Sequence, residues 1–150
     1  MPLIVGHMFV FYFGIMADLT PPVALAAFAA ASIAKASPMK IGFKATQIAI
    51  AGFVVPYMAV YDPALMLQGE YTLASVAYVV FKALLAIALW GAAAIGHLRA
   101  PINWFERVFA AAAAFMLVVA APLTDEIGFA MSAIFISWHW LRARKPALAA

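Results

Sequence analysis

The sequence predicts an all-α integral membrane protein, in which a broken helix or re-entrant element is followed by about four transmembrane helices. Three observations predict it. Of the 150 residues, 69% are hydrophobic and only 10% charged, where a soluble domain has about 45–50% and about 25%. That leaves too little polar side chain to cover a water-facing surface, so the apolar excess needs lipid or other protein. The apolar residues also fall in runs approaching the roughly 20 residues that carry a helix across a ~30 Å hydrocarbon core. Finally, one apolar region is interrupted by adjacent prolines.

The first run covers Leu3 to Ala17 and the second Val23 to Ala34, with Asp18-Leu19-Thr20-Pro21-Pro22 between them. Two adjacent prolines do not both fit in a helix interior, because each lacks an amide donor and clashes with the preceding turn. Two half-length helices with a break at 18–22 are therefore expected. A lysine-bearing loop spans Lys35 to Lys40, and Ile41 to Tyr61 reads as the next span, with a kink marked by Gly52 and Pro56. After an acidic loop with Asp62 and Glu70 comes a long span, Tyr71 to Ile95, and then a basic loop from His97 to Arg107. Another span covers Val108 to Ala121, with Trp104 as an alternative start. The acidic turn Pro122-Leu123-Thr124-Asp125-Glu126 leads to the last span, Ile127 to Leu141, and to the basic tail Arg142-Ala143-Arg144-Lys145. The alanine tract Ala110 to Ala114 reads as a face for close helix packing. No internal repeat is visible.

The loop charges alternate in sign. Lys35, Lys40 and Lys44 are followed by Asp62 and Glu70, then Arg99 and Arg107, then Asp125 and Glu126, then the basic tail. Four spans after the first loop put every basic cluster on one side, which the positive-inside rule makes cytoplasmic, with the C-terminus there. Trp104, Trp138 and Trp140 fall near proposed span ends, as interfacial aromatics do. The net charge of +3 is small and dispersed and does not suggest nucleic-acid binding. There is no cysteine, which excludes disulfides and thiolate metal sites. Met1-Pro2-Leu3 lacks the basic region and cleavage pattern of a signal peptide. The early apolar run suggests a bare first span or a chain cut from something longer.

The break is where chemistry is expected. A helix interrupted at membrane depth leaves backbone groups without helical partners, and such breaks persist only when buried in protein or lining a cavity. Half-helix ends carry about half an elementary charge, and transporters use them to hold ions and anionic substrate groups. Thr20 offers a hydroxyl and Asp18 a carboxylate. The competing reading is a surface loop, with Thr20 a simple cap and Asp18 solvated. Lys82 lies near mid-span, where an ionisable residue is a functional candidate; a structural role, snorkelling or pairing with a carboxylate of another helix, is favoured. His7, His97 and His139 are isolated and lack metal-ligand spacing. No nucleophile elbow, phosphate loop, paired catalytic carboxylate or metal cluster is present, so no enzyme is expected.

The stretch from Phe9 to Ala26, including Gly14, Asp18, Leu19, Thr20, Pro21 and Pro22, resembles the large membrane component of the tripartite ATP-independent periplasmic (TRAP) transporters. More narrowly, it resembles the fused permease of the TAXI subgroup. Ala29 to Ala34, Pro38-Met39-Lys40, Gly42-Phe43, Gly52 to Tyr57 and Tyr61 to Leu65 fit the same pattern. The resemblance is looser at Pro101 to Arg107 and Leu123 to Gly128.

The resemblance implies a secondary transporter of organic acids in a bacterial or archaeal inner membrane. An extracytoplasmic binding protein would deliver substrate, and an ion gradient, sodium or else protons, would drive uptake. It implies an elevator-type transport domain that includes residues 1–70, with 71–150 as family-specific C-terminal helices. Carried over, it places ion or substrate binding at Asp18, Leu19 (through its carbonyl), Thr20, Pro21 and Pro22, with sodium near Thr20 and Gly14 as a flexible neighbour. No cofactor is implied. A fused permease has many more spans, so this chain would be its C-terminal portion, unable to transport without the rest. A second reading is a small accessory or scaffold membrane protein with no transport site. A third, a channel-like oligomer, rests on Lys82 and Asp18 alone.

Overall fold

The computed structural model describes residues 2–119 and 121–144, and its regular elements there are helical. Helix α1 runs over Leu3–Met16, α2 over Leu25–Ala34 and α3 over Pro38–Ala49. A 3-10 turn at Ile50–Phe53 leads directly into α4, Val54–Tyr61. A second 3-10 turn at Pro63–Met66 precedes α5, Leu73–Ile95, which is followed by α6, Trp104–Val118, and α7, Pro122–Arg144.

The segment Pro38–Tyr61 forms one continuous helical rod of 24 residues. The 3-10 turn inside it precedes Pro56, whose missing amide leaves the carbonyl of Gly52 without its usual donor. The rod starts three residues before the expected Ile41, because extended Ser37 precedes Pro38, which takes the first helical position. Lys40 and Lys44 therefore lie on the helix. At about 1.5 Å per residue the rod is ~36 Å long, enough to cross a ~30 Å core.

Helix α5 has 23 residues and starts at a reciprocal cap, in which Ser75 N donates to Thr72 Oγ1 at 3.1 Å and Thr72 N to Ser75 Oγ at 2.9 Å. It ends at Gly96, which has φ 77°; such a left-handed position favours glycine. Only 28% of its most apolar stretch is buried. The core helix of a soluble protein would be mostly buried, so the remaining apolar surface fits lipid. The rod and α5 are the two helices long and apolar enough to cross a membrane among the described residues. Helix α6, with 15 residues, reaches only ~22 Å. Helix α7 has the length, but Asp125, Glu126 and Arg142 lie within it.

Two boundaries differ from expectation. The acidic stretch Pro122–Glu126 is the first turn of α7 rather than a turn outside it. Pro122 needs no amide donor there, Thr124 Oγ1 donates to Ala121 O at 2.8 Å, and Asp125 N donates to Ala121 O at 3.0 Å. Arg142 belongs to the helix rather than to a free tail, and Lys145 lies outside the described residues. Helix α6 takes the earlier start at Trp104, where Asn103 N donates to Glu106 Oε2 at 2.9 Å.

Small residues bring α5, α6 and α7 together. Ala110, Ala113 and Ala114 are fully buried, as is Ala86 on α5; their i, i+3, i+4 spacing puts them on one face of α6. The same apolar cluster takes in Val54 and Met58 of α4, so one core joins the two halves of the chain. Gly128 of α7 lies so close to α6 that a Cβ there would be 2.8 Å from Leu117 Cδ2 and 3.2 Å from Leu117 N. Gly128→Val should therefore force α7 off α6 at a cost of about 1–3 kcal/mol. Unfolding of the purified variant in detergent checks this, and an unchanged midpoint would refute it.

Candidate functional site at the helix break

The interrupted pair α1–α2 lies alongside the α3–α4 rod, with α2 against α3 and α1 against α4. Aromatic rings fasten α1: Phe9 and Phe13 meet Tyr57 edge-on at centroid distances of 5.4 and 5.8 Å, and Phe13 meets Phe53 at 5.4 Å. Helical structure stops at Met16 and resumes at Leu25. Between them the backbone makes tight turns, with Asp18 N donating to Ile15 O at 3.2 Å and Leu19 N to Met16 O at 3.1 Å. The Pro21–Pro22 peptide is cis, and Ala24 has φ 40°. Ala24 N donates back to Ala17 O at 3.2 Å and Thr20 O at 3.0 Å, and Ala26 N to Asp18 O at 3.1 Å. The start of α2 is thereby tied to the end of α1.

Helix α3 supports this turn from the side. Thr46 Oγ1 lies within hydrogen-bonding distance of two carbonyls, Leu19 O at 3.3 Å and Gly42 O at 3.0 Å. Gly42 is buried against the prolines: a Cβ there would sit 3.0 Å from Pro21 Cγ and 3.4 Å from a ring carbon of Phe28. Farther along the rod, Gly52 faces the end of the Met16 side chain, whose Cε lies 2.9 Å from where a Cβ would be. Gly42 is the notch for the broken helix, whereas at Gly52 only the flexible end of Met16 would have to move. Gly14 has open space around it.

A carbonyl oxygen has two lone pairs, which shows where a ligand could bind. Met16 O already accepts from Leu19 N and Thr20 Oγ1, the latter at 3.1 Å, and Ala17 O accepts from Thr20 N and Ala24 N. These two are saturated. The carbonyls of Asp18, Leu19 and Thr20 each accept one hydrogen bond in this segment. The Asp18 carboxylate is exposed and pairs with no described residue. The oxygens with spare capacity thus include those of Asp18, Leu19 and Thr20, together with the carbonyls of Pro21 and Pro22, which accept no hydrogen bond from a described residue; all are hard ligands of the kind that suit alkali and other hard cations. Pro21 and Pro22 lack an amide donor but each keeps a carbonyl oxygen, and no described group of three or more His, Cys, Asp and Glu could hold a metal. Sequence reasoning missed Thr46. Its signal was the Gly42–Thr46 spacing of four, which puts both on the face of α3 that meets the break.

A second polar cluster lies in the other half. Lys82 is 1% exposed on α5, and its Nζ lies 3.1 and 3.0 Å from Oδ1 and Oδ2 of Asp125 on α7. Tyr78 donates its hydroxyl to Asp125 Oδ2 at 2.9 Å. The carboxylate is therefore engaged at both oxygens, and the lysine is neutralised by a neighbouring helix. The pair closes on itself across α5 and α7, so it reads as a structural tie between the two helices. Elsewhere, His139 is buried against Phe135 at a ring distance of 6.0 Å. His7 Nδ1 lies 2.9 Å from Leu3 O.

Comparison with known proteins matches residues 1–73 to the family described as "Tripartite ATP-independent periplasmic transporter, DctM component". The match covers the break, the α3–α4 rod and the acidic loop, a little under half of the chain, and ends at the start of α5. It supports a permease component of that transporter family, a family of membrane transporters rather than enzymes. No curated protein and no solved structure matches the chain.

Proposed function

We propose that this chain is part of the large permease of a binding-protein-dependent, ion-coupled secondary transporter, and that its break contributes ligands to a cation site beside the substrate. The observation that carries the reading is the cluster of oxygens with spare capacity at Asp18, Leu19 and Thr20, inside the segment that matches the permease family. Helix α1 ends there, and the negative end of its dipole favours a cation. Helix α2 begins there, and its positive end favours the carboxylate of an organic acid. In this reading residues 1–70 belong to the transport domain, the basic loops face the cytoplasm, and the rest of the permease and an extracytoplasmic binding protein complete the machine. The TAXI subgroup, sodium as coupling ion and organic acids as cargo are the finer parts of the proposal; they rest on the resemblance of the Thr-Pro-Pro stretch.

Thr20→Ala in the complete permease tests it. The substitution removes one oxygen and the hydrogen bond to Met16 O without adding bulk. Ion-dependent uptake should fall at least about tenfold at low ion concentration, the worth of ~1.4 kcal/mol of ligand binding, and recover in part at high concentration. Uptake whose ion dependence is unchanged would rule out the Thr20 hydroxyl both as a ligand and as a support for the neighbouring carbonyls.

A further inference from the structure

We propose that the groove between the α3–α4 rod and helices α5 and α6 is a binding site for an anionic phospholipid. One cavity, of about 450 Å³, is walled by apolar and aromatic side chains, among them Phe53, Tyr57, Trp90 and Phe115. A second, of about 210 Å³, includes Trp104, Arg107 and Ala111. Ile50 and Trp90 line both, so the two are successive parts of one groove.

The groove's length fits one leaflet. From Arg107 to Val118 along α6 is ~17 Å at about 1.5 Å per residue, against ~15 Å for half of a hydrocarbon core. Its chemistry is graded in the same direction. No Asp or Glu lines either cavity, and the end near the α5–α6 loop carries positive charge. Arg107 donates from Nε to Ala93 O at 2.7 Å and from Nη2 to Ala94 O at 2.9 Å, and its guanidinium lies 5.7 Å from the Trp104 ring. It pairs with no described carboxylate. Gln47 also donates to Ala94 O, and Lys44 Nζ donates to Gln47 Oε1 at 3.0 Å. Lys44, Gln47 and Ile50 follow one another at three-residue spacing, so Lys44 lies nearly two turns beyond the groove-lining Ile50 and is linked to the groove through Gln47. Arg107, without a carboxylate partner and flanked by Trp90 and Trp104, suits a phosphate headgroup, with Lys44 as a second unpaired cation farther along the rod; the aromatic trough suits its acyl chain. Basic pockets of this kind between membrane helices take anionic lipid headgroups.

The full chain, purified in a mild detergent, is melted with added phosphatidylglycerol, with phosphatidylcholine of the same chains, and with inorganic phosphate alone. Phosphatidylglycerol should raise the melting temperature by ~2 °C or more, phosphatidylcholine by less than half as much, and phosphate not at all. Lys44→Gln, at an exposed position, should reduce the preference for phosphatidylglycerol, and Ala111→Leu, which narrows the groove at its middle, should reduce the response to both lipids. Arg107→Gln is unsuitable as sole variant because it uncaps α5. Equal shifts with the two lipids, an equal shift with phosphate, or a preference unchanged in Lys44→Gln would overturn the proposal. If Ala111→Leu fails to fold, Lys44→Gln alone decides.

Discussion

Asp125→Ala should destabilise the chain by about 3–5 kcal/mol, the cost of removing one partner from a buried ion pair. Lys82 Nζ has the two oxygens of Asp125 as its partners, and the lysine side chain is 2% exposed. Without Asp125 the ammonium must lose its proton, draw in water or pull α5 away from α7. The double variant Lys82→Met/Asp125→Leu should recover most of that loss, because a matched apolar pair removes both charges together. Tyr78→Phe removes a single hydrogen bond to a charged group and should cost about 1.5–3 kcal/mol at most. Unfolding of the three variants in detergent measures all three effects. A loss near 1 kcal/mol for Asp125→Ala would mean that the pair is hydrated and the closed arrangement is wrong.

This pair shows why part of the molecule was not legible in the sequence. Lys82 stood out at mid-span, and Asp125 stood out as a loop charge, but 43 residues separate them. The decisive fact is that Pro122–Glu126 is the first turn of a helix, so that Asp125 points to a neighbour instead of to solvent. Proline signals both a turn and a helix start, and local sequence does not choose between them. Arg107 illustrates the same limit. It read as one charge of a basic loop, whereas it sits in the first turn of α6 and binds the last carbonyls of α5.

Features fixed by local chemistry were legible. Adjacent prolines do not both fit a helix interior, and helical structure does stop between Met16 and Leu25. The Ala110 to Ala114 tract packs through Ala110, Ala113 and Ala114 because small residues let helix backbones approach. From the break itself only the Thr20 hydroxyl and the Asp18 carboxylate could be named as candidates; the Leu19 carbonyl came from the family resemblance. Which oxygens keep a spare lone pair could be named from neither, since that depends on back-bonds from Ala24 and Ala26 and on Thr46 from a different helix.

That support from α3 makes Gly42 the position where a small change should have the second large effect. A Cβ there already meets Pro21 at 3.0 Å and Phe28 at 3.4 Å, so Gly42→Val adds two methyl groups where one carbon barely fits. Overpacking of this kind costs about 1–3 kcal/mol, and the chain can relieve it only by moving the prolines off α3. Moving them stretches the contact between Thr46 and Leu19 O, and so shifts the carbonyls proposed to hold the cation. In the complete permease, Gly42→Val should therefore abolish ion-dependent uptake while the protein still reaches the membrane, whereas Gly42→Ala should keep part of it. Thr46→Val, which removes the hydroxyl while keeping the volume, separates the two causes. A loss of ion affinity in Thr46→Val without a loss of stability would assign the effect to the position of the Leu19 carbonyl. Full uptake by Gly42→Val would show that the break does not depend on α3, and the site would then have to be sought elsewhere in the permease.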